Sequence, residues 1–161
     1  MKWLATGLAL GLAFVIQTAL TLVLPGPGRL LDPFLVVVVY CGLVGGETHG
    51  MLAGALAGWI QDTQFGGAVI GLSALTKLLV GFAVGVAATR FLVTASSARL
   101  LVLFAATLVD ALVFERLALV FEIAASEMSL RVLFVRAVAN AVLGVLAFQA
   151  LELHARREAR S

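Results

Sequence analysis

GMLAGALAGWIQDTQFGGAVIGLSALTKLLVGFAVG, residues 50–85, decides how the chain is read. Gly50, Gly54, Gly58 and Asp62 recur every fourth residue and so form one slowly drifting stripe on a helix. Ser73, Lys77, Gly81 and Gly85 form a second stripe on the next. In lipid, helices associate through close packing of small residues, so both stripes mark faces turned towards protein. A carboxylate and an amine sit on those faces where apolar residues are the norm, which predicts two charges buried inside the protein. Lys77 lies about five residues, or roughly 8 Å, inside the second helix, within reach of a carboxylate at the end of the first, and an Asp62–Lys77 pair is expected.

The rest of the chain gives this pair of helices its setting. It has 161 residues, 62% of them hydrophobic and only 12% charged, with a mean hydropathy of +1.12. Apolar runs long enough to cross a bilayer recur, and the class is an all-α integral membrane protein. A net charge of +2 comes from scattered arginines near helix ends, without the basic cluster that a nucleic-acid surface needs. Cys41 is the only cysteine; it forms no intrachain disulfide and reads as a small apolar filler.

Six apolar runs follow one another. The first, 4–24, is broken only by Thr6, Gln17, Thr18 and Thr21 and stops at PGPGR, 25–29. It is too long for a secretory signal and carries no small-x-small cleavage site, so it is expected to be retained. Ala5, Ala9 and Ala13 line one of its stripes, Gly7 and Gly11 another. The second run, 34–44, and the third, 51–60, are short for about 30 Å of hydrocarbon. They either extend through their flanking glycines or form a re-entrant hairpin sheltered by other helices. Runs 72–93, 100–125 and 130–151 complete six transmembrane helices. The expected organisation is one membrane domain over 1–152 and a short basic tail over 153–161, where any disorder is expected. Lys2, Arg90, Arg99, Arg156, Arg157 and Arg160 fall on one side of this topology, against Arg29, Arg116 and Arg131 on the other. Positive-inside bias therefore places both termini in the cytoplasm. Asp32, Asp62, Glu115, Glu122 and Glu127 fall towards the outer side.

Chemistry is sparsely marked. Glu47-Thr48-His49 reads as a cytoplasmic turn with a solvated histidine, and His154 lies in the tail. No Cys/His/carboxylate set has metal-ligand spacing, and no nucleophile elbow or phosphate loop occurs, so no catalytic residue, metal or cofactor is expected. The charges inside the later helices are more informative, since each needs a partner or a wet cavity. By depth, Arg136 is expected to pair with Glu115 or Asp110, with Asn140 level with Asp110. Buried pairs that fix helix register explain this set as readily as a functional site does.

The segment from Gly54 to Gly85, with Gln61-Asp62, Phe65-Gly66-Gly67, Gly71-Leu72 and Leu75 to Gly81, closely resembles the core of the MreD family of rod shape-determining proteins. The six apolar runs and basic tail are similar too. The resemblance implies a non-catalytic inner-membrane scaffold of the bacterial cell-elongation complex. Its implied partners are the bitopic protein MreC, the RodA glycosyltransferase with its penicillin-binding transpeptidase, and indirectly the MreB filament system. MreD-like proteins are in turn similar in fold to the substrate-binding S components of energy-coupling-factor vitamin transporters, which meet their coupling subunit through an Ala-x-x-x-Ala stripe. Ala5, Ala9 and Ala13 fit such a stripe, which keeps an S component as the alternative. Against it, the connection PGPGRLLDP is short for a lid, and no polar vitamin pocket is evident.

Overall fold

A computed structural model describes residues 2–24, 30–65, 69–91, 95–122 and 129–158, without the side chains of 154–158. The described residues are all-helical, in the order α1 (Lys2–Val23), α2 (Pro33–Gly45), α3 (Glu47–Gln64), α4 (Leu72–Arg90), α5 (Ser96–Val120) and α6 (Leu130–Glu158). Four of them, α1, α4, α5 and α6, are long and apolar enough to cross a membrane. The expected stop at PGPGR, the Gly66-Gly67 turn, Arg29, Glu127 and Arg160 lie outside the described residues, as do the side chains of His154, Arg156 and Arg157.

α3 is longer than its apolar run, 51–60. It runs 18 residues, from Glu47 to Gln64, about 27 Å of helix, and so extends through its flanking residues. α2 stays short at 13 residues. The expected turn at Glu47-Thr48-His49 is instead the first turn of α3. A tight link at Gly46, whose φ of 81° favours glycine, joins it to α2. α5 ends at Val120 rather than near residue 125, with Glu122 in a left-handed conformation just beyond. α6 does not stop near residue 151 but carries helix through Glu158, so the basic segment begins as its continuation.

The glycine stripes meet each other. A Cβ added at Gly50 would strike the carbonyl of Gly81, at Gly54 that of Lys77 and at Gly58 that of Ser73. At Gly85 it would strike the backbone of Glu47. The first three pairs keep one register along two antiparallel helices, with the glycine of α3 moving four residues up as its contact on α4 moves four down. Gly42 of α2 joins the same packing, 3.1 Å from the Gly81 carbonyl by the same construction. α2, α3 and α4 thus approach backbone to backbone, which no side chain larger than hydrogen permits.

Around this unit, two apolar cores form. Leu35, Val39, Val80, Leu103, Ala141 and Phe148 join α2 and α4 to the α5–α6 hairpin. Leu10, Ala13, Phe34, Val38 and Ala57 join α1 to α2 and α3. At the end of the bundle that carries Lys2 and Arg90, the Arg99 guanidinium pairs with Glu152 and lies over the Phe148 ring, 5.2 Å from its centroid. α1 is fastened there by His49, whose Nε2 is 2.8 Å from Thr6 Oγ1 and whose ring meets Trp3 edge-on at 4.7 Å. His49 is therefore a half-buried clasp between helices and not the solvated loop residue expected. Cys41 is buried as expected, with Thr6 Oγ1 3.8 Å from its sulfur. The α1 alanine stripe is divided, Ala13 buried and Ala5 exposed, while Gly7 and Gly11 face open space.

These contacts separate two kinds of glycine. Gly54→Ala should lower thermal stability in detergent by about 1–3 kcal/mol, because the methyl meets an opposing backbone that cannot give way. Gly7→Ala should be neutral or slightly stabilising, as Ala is favoured over Gly in a helix by up to about 1 kcal/mol. Equal effects at the two sites would contradict the packing described.

Candidate functional site: a buried four-charge cluster

The site is assembled at the start of α2. Asp32 caps that helix, its Oδ1 accepting from the Leu35 N–H at 3.0 Å, and Pro33 occupies the first helical turn. Asp before Pro suits a helix start, since Asp satisfies an orphan donor and Pro lacks one. The Asp32 N–H donates to Asn140 Oδ1 on α6 at 2.8 Å. The remaining carboxylate oxygen, Oδ2, accepts from Lys77 Nζ of α4 at 2.8 Å.

Lys77 is shared. Its Nζ also lies 3.4 Å from both oxygens of Asp110 on α5. Arg136 of α6 closes the ring, with Nη2 3.5 Å from Asp32 Oδ2 and 3.7 Å from Asp110 Oδ2. Two carboxylates and two cations from four helices therefore meet with formal charges that cancel. Lys77, Asp32, Asp110 and Asn140 are all buried, the lysine side chain at 2% exposure. Each charge is costly in such a setting unless paired, and removing one partner strands the others.

This arrangement corrects the expected Asp62–Lys77 pair. Asp62 is buried but faces the start of α4, where its Oδ2 accepts from the Gly71 N–H at 2.8 Å and the Ser73 N–H at 3.0 Å. Gly71 has φ 104°, so the chain turns sharply there. The first N–H groups of a helix lack intrahelical partners and carry partial positive charge, and a carboxylate satisfies both needs. Asp62 is thus the clamp from α3 to α4, leaving Lys77 to point the other way. Of the two partners expected for Arg136, the structure gives Asp110. Asp32 joins it, whereas Glu115 is half-buried and makes no ion pair among the described residues. Asn140 is level with the cluster as expected. Gly50, Gly54, Gly58, Gly81 and Gly85 line the α3–α4 seam.

Asp32 is the member that sequence reasoning placed in a loop. Two signals pointed to it, the Asp-Pro helix start and the shortness of the run that follows.

Six helices, four of them long and apolar enough to span, packed through glycine seams and locked by internal ion pairs, define a polytopic helical membrane protein. A family model described as rod shape-determining protein MreD matches residues 1–154, nearly the whole chain, and the protein belongs to that family. It is a cell-shape protein of the membrane, in a family not known for catalysis. No curated protein and no solved structure matches the chain.

The geometry sets the expected mutational pattern. Lys77→Met should cost about 3–5 kcal/mol by leaving two buried carboxylates to one guanidinium. Adding Asp110→Asn should recover part of that loss. Asp62→Asn should cost about 1 kcal/mol as a weakened cap and add to Lys77→Met without coupling. Unfolding of the three single and two double variants in detergent measures this, and coupling between Asp62 and Lys77 in place of Asp110 and Lys77 would refute the assignment.

Proposed function

We infer that this protein is a non-catalytic scaffold of the bacterial rod complex. It would lie in the inner membrane with six crossings and both termini cytoplasmic, and bind MreC. Through that contact it would help organise peptidoglycan synthesis by the RodA glycosyltransferase and its penicillin-binding transpeptidase, with the MreB filament system as an indirect partner. The observation that carries this reading is the family match over residues 1–154. The structure supports it in one respect: its buried charges are paired or hydrogen-bonded within the helix bundle. Lys77, Asp32, Asp110 and Arg136 hold four helices in register, and Asp62 holds the α3–α4 turn. Such a body has a fixed shape and apolar outer faces, which suits binding to other membrane helices.

Orientation rests on the basic residues. Lys2, Arg90 and Arg99 stand at one end of the bundle, and exposed Arg116 and Arg131 towards the other. The end bearing the α3–α4 turn is then the outer one.

Three measurements test the proposal. The tagged chain, extracted in mild detergent, should co-purify with MreC. Native mass spectrometry that instead finds a stoichiometric vitamin-like ligand, with no MreC retained, would replace the scaffold by an S component. Reporter fusions after Ser97 and at Ser161 should read cytoplasmic and one near residue 67 should read outside; an outside reading at Ser161 would reject six crossings.

A further inference from the structure

The two carboxylates of the cluster are not held alike. Asp32 is satisfied at short range, by the Leu35 N–H at 3.0 Å and Lys77 Nζ at 2.8 Å. Asp110 meets Lys77 only at 3.4 Å and Arg136 only at 3.7 Å. Charge-assisted hydrogen bonds normally close to about 2.7–2.9 Å. The carboxylate on α5 is therefore buried with no short hydrogen bond among the described residues.

α6, which packs against α5, carries the complementary defect. Asn140 spends its carbonyl oxygen on the Asp32 N–H, and its Nδ2 has no acceptor although the residue is fully buried. Arg136 Nε, also buried, has none either. These residues are four apart on α6 and so lie on one face, on successive turns. A buried donor left without an acceptor is costly, and two of them on α6, next to a carboxylate without a short hydrogen bond, call for a group that accepts from nitrogen and donates to oxygen. The formal charges of Asp32, Asp110, Lys77 and Arg136 already cancel, so an added anion would leave a net charge in the interior. Water is neutral, accepts and donates, and settles where it finds two to four polar partners.

We propose that the α5–α6 side of the cluster is a water-binding site, built by Asn140 Nδ2, Arg136 Nε and the Asp110 carboxylate. Water reaches it past Arg136, whose side chain is 19% exposed while those of Asp32 and Asp110 are at 2% and 5%. Arg136 lies six residues inside the start of α6, so the inlet opens at the end of the bundle that bears the α3–α4 turn. The charged groups facing Asp110 are Lys77 from α4, Arg136 from α6 and Asp32 from α2, with Glu115 further along its own helix.

The test uses the full chain, ¹⁵N-labelled in lipid nanodiscs, with magnetisation transferred from water to protein nitrogens. Arg136 Nε–H and Asn140 Nδ2–H should both receive it, while the backbone N–H groups of Gly54 and Gly81 in the α3–α4 seam should not. No transfer at the two α6 groups would overturn the site. Asp110→Asn, which keeps an acceptor oxygen, should retain the transfer at Asn140. Asp110→Leu should reduce it several-fold, and full transfer in a folded Asp110→Leu protein would remove Asp110 from the site. Should the leucine variant fail to fold, the wild-type spectrum decides alone.

Discussion

Lys77 cannot be an ammonium in an apolar interior without partners, and the positions of four helices follow from giving it two. Its backbone carbonyl faces Gly54, which draws α3 against α4. Its side chain leaves in the opposite sense and requires carboxylates, one from the start of α2 and one from the middle of α5. Those two negative charges in turn require a second cation, supplied by Arg136 of α6. One residue therefore fixes a backbone contact on one side and a charge cluster on the other. α1 alone is fastened elsewhere, by Thr6 and Trp3 against His49 and by an apolar face.

Two kinds of adhesion divide the molecule. Among α2, α3 and α4 the helices meet through glycine, and dispersion between closely placed backbones holds them. Between this unit and the α5–α6 hairpin, an apolar core is supplemented by ion pairs. A buried ion pair contributes little net stability over apolar groups of the same size, but mispairing strands charges. The glycine seam thus supplies closeness and the ionic seam supplies uniqueness of register. For the scaffold role proposed above, one fixed arrangement of outer faces is the property that matters.

The glycine seam was legible in the sequence because its signal is local: a four-residue period of small residues on each of two neighbouring helices, with a short turn between. The same proximity misled on the charges. Asp62 and Lys77 are near in sequence and similar in depth, yet the orphan N–H groups of Gly71 and Ser73 are nearer to Asp62 and claim it. The true partner, Asp32, lies 45 residues from Lys77, and no periodicity links them. Asp110 was legible as one of two carboxylates within reach of Arg136, Glu115 being the other, because all three charges interrupt long apolar runs. His49 was misread because Gly45-Gly46 suggested a longer turn, whereas a single glycine at φ 81° suffices to start α3 at Glu47. Asp32 was visible as an end of a helix but not as a centre, since its depth depends on where the helix lies in the bundle.

That depth imposes a further condition. Lys77 sits about 8 Å inside α4, so the first turn of α2, which meets its ammonium, also starts well inside the bundle. Non-helical backbone at such a level is tolerated only where protein satisfies it. The Asp32 N–H precedes the helix and has no intrahelical acceptor; Asn140 Oδ1 accepts from it at 2.8 Å. An amide oxygen serves here where a carboxylate would not, because a third negative charge beside Asp32 and Asp110 would unbalance the cluster. Asn140 is thus the residue that lets α2 begin at this depth. A neutral acceptor one turn beyond Arg136 on α6 satisfies the backbone at the helix start that Lys77 draws into the cluster.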